Sequence, residues 1–222
     1  MGAPGLSSTT KGRLALRAPV FCCTTDIVED FLGRFARLAR SIRLGSPLDP
    51  EMEMGPLTSL HHQRRVLEYV DIARREGAEV ISGGVQPSNS ALALGCYVEP
   101  TIIKVSSQQD RLIQEEVFGP FVTVQTFRNE AEALAPANGT QYCLGSGLWT
   151  RDLQRAHSLA SDLKAGIVWI NSYKRANPGS PFGGVGRSGY GREMGFDAMQ
   201  EYTQAKSIWV NVNAQIPAYY RR

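Results

Sequence analysis

The sequence has no apolar run that approaches the length needed to cross a bilayer, so nothing in it reads as a membrane span. The stretch Leu14–Cys23 is short and interrupted by Arg17 and Pro19. No convincing cleavage site follows it, so it is not read as a signal peptide. No charge dominates: 24 basic residues face 21 acidic ones, a net charge of +3. The basic residues are dispersed rather than clustered, which argues against nucleic acid as a partner. Four cysteines, Cys22, Cys23, Cys96 and Cys143, show no paired metal-ligand spacing. A chain of this size needs no disulfide framework, so the thiols read as reduced, in a cytoplasmic setting. Histidine is scarce, at three residues. Two of them, His61 and His62, are adjacent; on a helix they point in different directions and read as surface residues that share no ion. There is no internal repeat.

What the sequence does have is a concentration of glycine near its C-terminal end. Pro181–Gly195 carries six glycines among fifteen residues. Glycine loses the most backbone entropy on ordering, so this reads as an ordered loop rather than a helix or strand interior. Gly166–Asn171 upstream and Ser207–Val212 downstream read as strands. Gly184–Gly189 matches G-x-G-x-x-G, but the context of a dinucleotide fingerprint is missing. Pro178 and Pro181 precede it where a strand is required, and no acidic residue ends the next strand.

Elsewhere, strand and helix patterns alternate. Helices are expected at about 26–43, 58–76, 129–137 and 152–164. Strands are expected near 79–84, 97–105, 121–127, 146–150 and 166–170. The first helix carries an apolar face from Val28 to Ile42, with Asp26 as N-cap, Glu29 at the capping-box position and Gly45 as terminator. In the second, Leu60, Leu67, Val70 and Ala73 face inward and Gly77 ends it. Asn129 with Glu132, and Asp152, are the caps of the later helices. Such alternation implies parallel crossover units and an α/β fold with a mainly parallel sheet and flanking helices. The domain reading is an irregular leader over 1–25, the main α/β portion over 26–200, and a strand and tail over 201–222.

Several motifs, taken together, resemble the NAD(P)-dependent aldehyde dehydrogenase superfamily, in its C-terminal catalytic and oligomerisation half. They are Gly45–Pro50 with Met54-Gly55-Pro56, Glu115-Glu116-Val117-Phe118-Gly119-Pro120, Trp169-Ile170-Asn171, Ser180–Gly184, Ser188–Glu193, Tyr202-Thr203-Gln204 and Lys206–Val210. They occur in the family's order and cover about Asp26 to Val212. The resemblance implies oxidation of an aldehyde to a carboxylic acid with NAD or NADP. In this chemistry a cysteine thiolate attacks the aldehyde, hydride leaves to the nicotinamide, and a glutamate activates water to release the acid.

Residue roles follow from the same resemblance. Glu116 matches the glutamate that accepts hydrogen bonds from the nicotinamide ribose hydroxyls, and Phe118 the phenylalanine beside the nicotinamide. Phe182 matches a position lining the aldehyde pocket; read from spacing alone, Phe118 is a core aromatic, and Phe182 equally suits packing under the glycine-rich loop. The family's Gly-Gln-x-Cys nucleophile segment aligns near Ala15, where Gly12–Arg17 has neither the Gly-Gln pair nor a cysteine. Cys22 and Cys23 fall on strand positions leading into the first helix, and either would need a strand deletion to serve as nucleophile. Cys96 and Cys143 read as small buried hydrophobes. The general base and the dinucleotide-binding domain align upstream of Met1. The chain therefore reads as a C-terminal portion, inactive alone, whose partners are an aldehyde and further copies of itself or the missing N-terminal half. The alternative is a non-catalytic subunit or oligomerisation module. The segment matching Tyr202–Val212 is the family's assembly strand.

Overall fold

The computed structural model describes residues 20–107 and 111–212. Its centre is strand β4 (Phe121–Phe127), whose first five residues are buried. The β-branched and aromatic sequence Phe-Val-Thr-Val-Gln-Thr-Phe suits a strand covered on both faces. β1 (Val20–Thr24) and β3 (Thr101–Lys104) flank β4 and run parallel to it; β2 (Glu79–Ser82) pairs antiparallel with β3. The sheet order is β1-β4-β3-β2.

Helix α1 (Val28–Ser41) covers one face. Val28, Leu32, Phe35, Ala36 and Ala39 pack with Cys23, Ile102, Val122 and Val124. Helix α2 (Leu60–Arg75) covers the other, where Val66, Tyr69, Val70 and Ala73 meet Val98, Ile103, Ile113, Val117 and Phe121. After the short α3 (Arg111–Gln114) and β4 come α4 (Glu130–Asn138), β5 (Tyr142–Cys143), β6 (Gly145–Leu148), α5 (Leu153–Asp162), β7 (Ile167–Ile170) and β8 (Val185–Gly186). β6 and β7 form a parallel pair; β5 and β8 an antiparallel one. The architecture is the expected α/β, mainly parallel class.

Local signals explain most boundaries. α2 ends in a Schellman motif: Gly77, at φ 78°, donates to Arg74 O, and Ala78 donates to Ala73 O. Asn129 accepts from Glu132 N, while Glu132 reaches back to Arg128 N, closing α4's first turn. Asp152 accepts from Arg155 N.

Other expectations are corrected. Asp26 does not cap α1. Ile27 occupies the N-cap, where its apolar side chain accepts no bond; its N–H turns back to Thr24 O as the chain leaves β1. Glu29 instead pairs with Lys104 Nζ at 2.8 Å. The helix stops at Ser41, ahead of Gly45, because Ile42 is extended. Leu60 is exposed rather than inward, since it sits in the first turn of α2, outside the packed face.

The irregular leader expected over 1–25 does not hold for residues 20–24. Val20–Thr24 form β1, because their apolar side chains complete both core faces beside β4. Residues 1–19, including the segment around Ala15, lie outside the described residues.

The glycine-rich stretch is a loop closed at its base by reciprocal 2.7 Å backbone bonds between Phe182 and Glu193. Arg192 Nη1 ties it internally, donating to Gly184 O and Gly191 O. A strand, β8, runs through Val185–Gly186 itself, so the G-x-G-x-x-G stretch is not a strand-to-helix turn. Ser207–Val212 forms no strand ladder among the described residues, and Ile208, Trp209, Val210 and Val212 are exposed.

Candidate functional site

Three elements meet around an open cavity of about 630 Å³. α2 and the residues leading into it contribute Thr58, His61, His62, Arg65 and Tyr69. The end of α3 and the segment after it contribute Gln114 through Phe118. Gln141 and Tyr142 at β5, with Arg187 of the glycine-rich loop, form the far side. Pairing of β5 with β8 brings Arg187 there, and its N–H donates to Gln141 O at 3.0 Å. Two motifs distant in sequence thereby share one cavity.

The Glu115–Gly119 segment is moulded on one face of α2. His62, Val66 and Tyr69 recur at helical spacing, and each holds a different part of it. Tyr69 Oη donates to Glu115 Oε2 at 2.8 Å. Gly119 lies so close to Val66 that an added Cβ would stand 2.8 Å from Val66 Cγ2. His62 Nε2 donates to Phe118 O at 2.6 Å. Behind it, Thr58 Oγ1 lies 2.9 Å from His62 Nδ1, and Ser59 Oγ accepts from His62 N.

The two adjacent glutamates differ sharply. Glu115 is fully engaged: Arg111 donates Nε and Nη2 to its two oxygens, both at 2.9 Å, and Tyr69 adds a third bond. The Arg111 guanidinium, with help from Tyr69, holds the Glu115 carboxyl below its ordinary value. Glu116 has no hydrogen-bond or ion-pair partner among the described residues and lines the cavity. Phe118 stands beside it with a left-handed backbone, φ 51°; the residue is 45% exposed and its ring lies 6.1 Å from the His62 ring. A left-handed phenylalanine costs on the order of 1–3 kcal/mol and persists only where its surroundings hold it.

The cavity therefore offers a free acceptor-only carboxylate, an open aromatic face and two guanidinium groups, Arg65 and Arg187. That donor set suits a polar ligand with hydroxyl groups, a flat ring and negative charge. A family profile for "Aldehyde dehydrogenase family" matches residues 7–208. The chain belongs to the aldehyde dehydrogenase family. The match starts well before Asp26, so it also takes in most of the leader.

A betaine aldehyde dehydrogenase of Cereibacter sphaeroides is 46% identical over 186 residues, 84% of this chain and 38% of that protein. The crystal structure of PnpE from Pseudomonas sp. WBC-3 is 59% identical with a TM-score of 0.83 over 90% of this chain and 41% of that one. A Staphylococcus aureus betaine aldehyde dehydrogenase solved with NAD+ gives a TM-score of 0.85 at 36% identity, covering 90% of this chain and 40% of that one. The chain thus spans about two fifths of the length of these relatives.

The structure brings Glu116 and Phe118 together. Phe182, half-buried at the base of the glycine-rich loop, is not among the residues lining this cavity. Nor are Cys22 and Cys23, which sit in β1 opposite Gln125 and Thr126. Burial, then the neighbouring Cys23, pushes the Cys22 thiol up to about 11, and burial raises Cys23 as well. Both therefore stay protonated at neutral pH, the reverse of an activated nucleophile.

The surface reading of the histidine pair is corrected at His62, which is half-buried and bonded on both ring nitrogens. Arg65, Tyr69 and Arg187 are further cavity residues the sequence reading passed over. The signal for the α2 residues was available in the i, i+4, i+7 spacing of His62, Val66 and Tyr69. Nothing local marks Arg187, whose place depends on β5 pairing with β8.

Proposed function

We propose that this chain supplies the nicotinamide-facing wall and the assembly surface of an NAD(P)+-dependent aldehyde dehydrogenase, which converts an aldehyde and water to a carboxylic acid. The observation that carries the reading is the contrast between Glu115, consumed by Arg111 and Tyr69, and Glu116, left free on the cavity beside the open Phe118 ring. The carboxylate of Glu116 accepts from ribose hydroxyls, and the Phe118 ring packs on the nicotinamide. NAD or NADP, when bound, supplies the hydride acceptor. Phe182 belongs to the aldehyde pocket. Nucleophile, general base and dinucleotide domain come from the remaining three fifths of the relatives' length, and the setting is cytoplasmic.

A second reading, a non-catalytic subunit or oligomerisation module, has support in the exposed apolar side chains of Tyr202, Ile208, Trp209, Val210 and Val212. Assembly is part of both readings.

The discriminating experiment measures aldehyde-dependent NADH or NADPH formation by the purified chain, alone and with the N-terminal half of an aldehyde dehydrogenase carrying its Gly-Gln-x-Cys segment. The expected result is no turnover alone, turnover in the mixture, and its loss in Glu116→Ala. Turnover by the chain alone that disappears in Cys22→Ala or Cys23→Ala would overturn the division of labour. Turnover in the mixture that Glu116→Ala leaves intact removes the role given to Glu116.

A further inference from the structure

The Phe118 carbonyl can only accept, so the 2.6 Å contact places the proton of a neutral His62 on Nε2. Nδ1 is then an acceptor, and the Thr58 hydroxyl donates to it at 2.9 Å. Ser59 caps the backbone N–H of the same histidine at 3.1 Å. The imidazole is thus fixed from behind by two residues of the α2 entry and presents one donor to the loop. That donor lands on the one residue between Glu115 and Pro120 whose backbone is left-handed. A non-glycine residue in that region needs an external restraint.

We infer that His62 is a positioning residue: backed by Thr58, it holds Phe118 in its left-handed conformation and so sets how the Phe118 ring and the neighbouring Glu116 face the cavity. The part that concerns the ligand rests on the cofactor role proposed above; the clamp on Phe118 does not. The chain of restraint runs from Thr58 Oγ1 through the imidazole to the Phe118 carbonyl. Tyr69 anchors Glu115 two residues before the adjacent Val117, and Gly119 lies against Val66 just after Phe118. Of these three supports only His62 bonds to Phe118 itself.

The test uses the full chain and four proteins: wild type, His62→Ala, His62→Gln and Thr58→Val. Crystal structures or NMR of each report the Phe118 backbone, and nicotinamide mononucleotide is the binding probe, read from perturbation of Phe118 ring resonances. His62→Ala is expected to release Phe118 to a negative φ and to weaken the mononucleotide by about tenfold, the worth of one lost hydrogen bond. His62→Gln, which keeps a side-chain N–H at similar reach, is expected to restore both. Thr58→Val keeps the Ser59 cap and the fold, and is expected to give an intermediate effect. A left-handed Phe118 retained in His62→Ala overturns the inference whatever the ligand does. Released Phe118 with unchanged mononucleotide binding overturns the positioning role. If wild type binds no mononucleotide while His62→Ala still frees Phe118, the clamp stands and the cofactor reading of the cavity falls.

Discussion

Tyr69 and Glu115 are joined across the core by a 2.8 Å hydrogen bond, so the start of the cavity-lining segment is pinned to the middle of α2. Tyr69 is buried, whereas Glu115 is part exposed and chelated from the solvent side by Arg111. Tyr69→Phe should cost about 1 kcal/mol, the net worth of such a bond, and lower the melting temperature by roughly 2–4 °C. The pH dependence has a definite sign. Glu115 titrates below its ordinary 4.5 in the folded chain, so its contribution is complete above the unfolded carboxylate value. It is lost as pH falls through the lowered folded value. Melting curves of wild type and Glu115→Gln should therefore differ at neutral pH and converge in acid; a gap that widens in acid contradicts the assignment.

Gly119 has no room for a side chain. An alanine Cβ would approach Val66 Cγ2 to 2.8 Å, and Val66 is fully buried. Gly119→Ala should destabilise the chain by about 1–3 kcal/mol through overpacking. The double variant Gly119→Ala with Val66→Ala should lose less stability than the sum of the two separate losses, because truncating Val66 makes room for the new Cβ, and chemical denaturation measures this coupling. Strict additivity would show that the two residues do not oppose each other.

Cys22 should resist alkylation. With its thiol pushed up to about 11, the thiolate is scarce at neutral pH, and β1 packs it into the sheet. Its reaction with iodoacetamide, followed by peptide mass spectrometry, should keep rising with pH toward that value. A rate already level near the ordinary value of 9.0 would remove the desolvation that raises it.

The segment after Tyr202 should drive assembly. Ile208, Trp209 and Val210 are 78%, 94% and 77% exposed, more apolar surface than a short segment ordinarily leaves to water. Trp209→Glu is expected to shift any oligomer toward monomer in light scattering, and assembly should move wild-type tryptophan emission to the blue. An unchanged mass in solution after deletion of residues 202–222 would refute the role.

Much of the fold follows from short-range chemistry written in the sequence. β4 is legible because six of its seven residues are β-branched or aromatic, which suits a strand covered on both faces. α2 and α4 are legible because Gly77, Asn129 and Glu132 carry their own termination and capping chemistry. The motif Glu115–Pro120 likewise pointed to Glu116 and Phe118 before any geometry was known. Asp26 shows the limit: its capping pattern is sound, but the turn out of β1, in which Ile27 N–H donates to Thr24 O, starts the helix one residue later and puts Ile27 at the N-cap. What tertiary structure alone decided is the division between the two glutamates, the bond from His62 to Phe118 and the arrival of Arg187. Each depends on elements far apart in the chain, 46 residues for Tyr69 and Glu115 and 56 for His62 and Phe118. Periodicity reports which face of a helix turns inward, but only packing determines which loop that face meets.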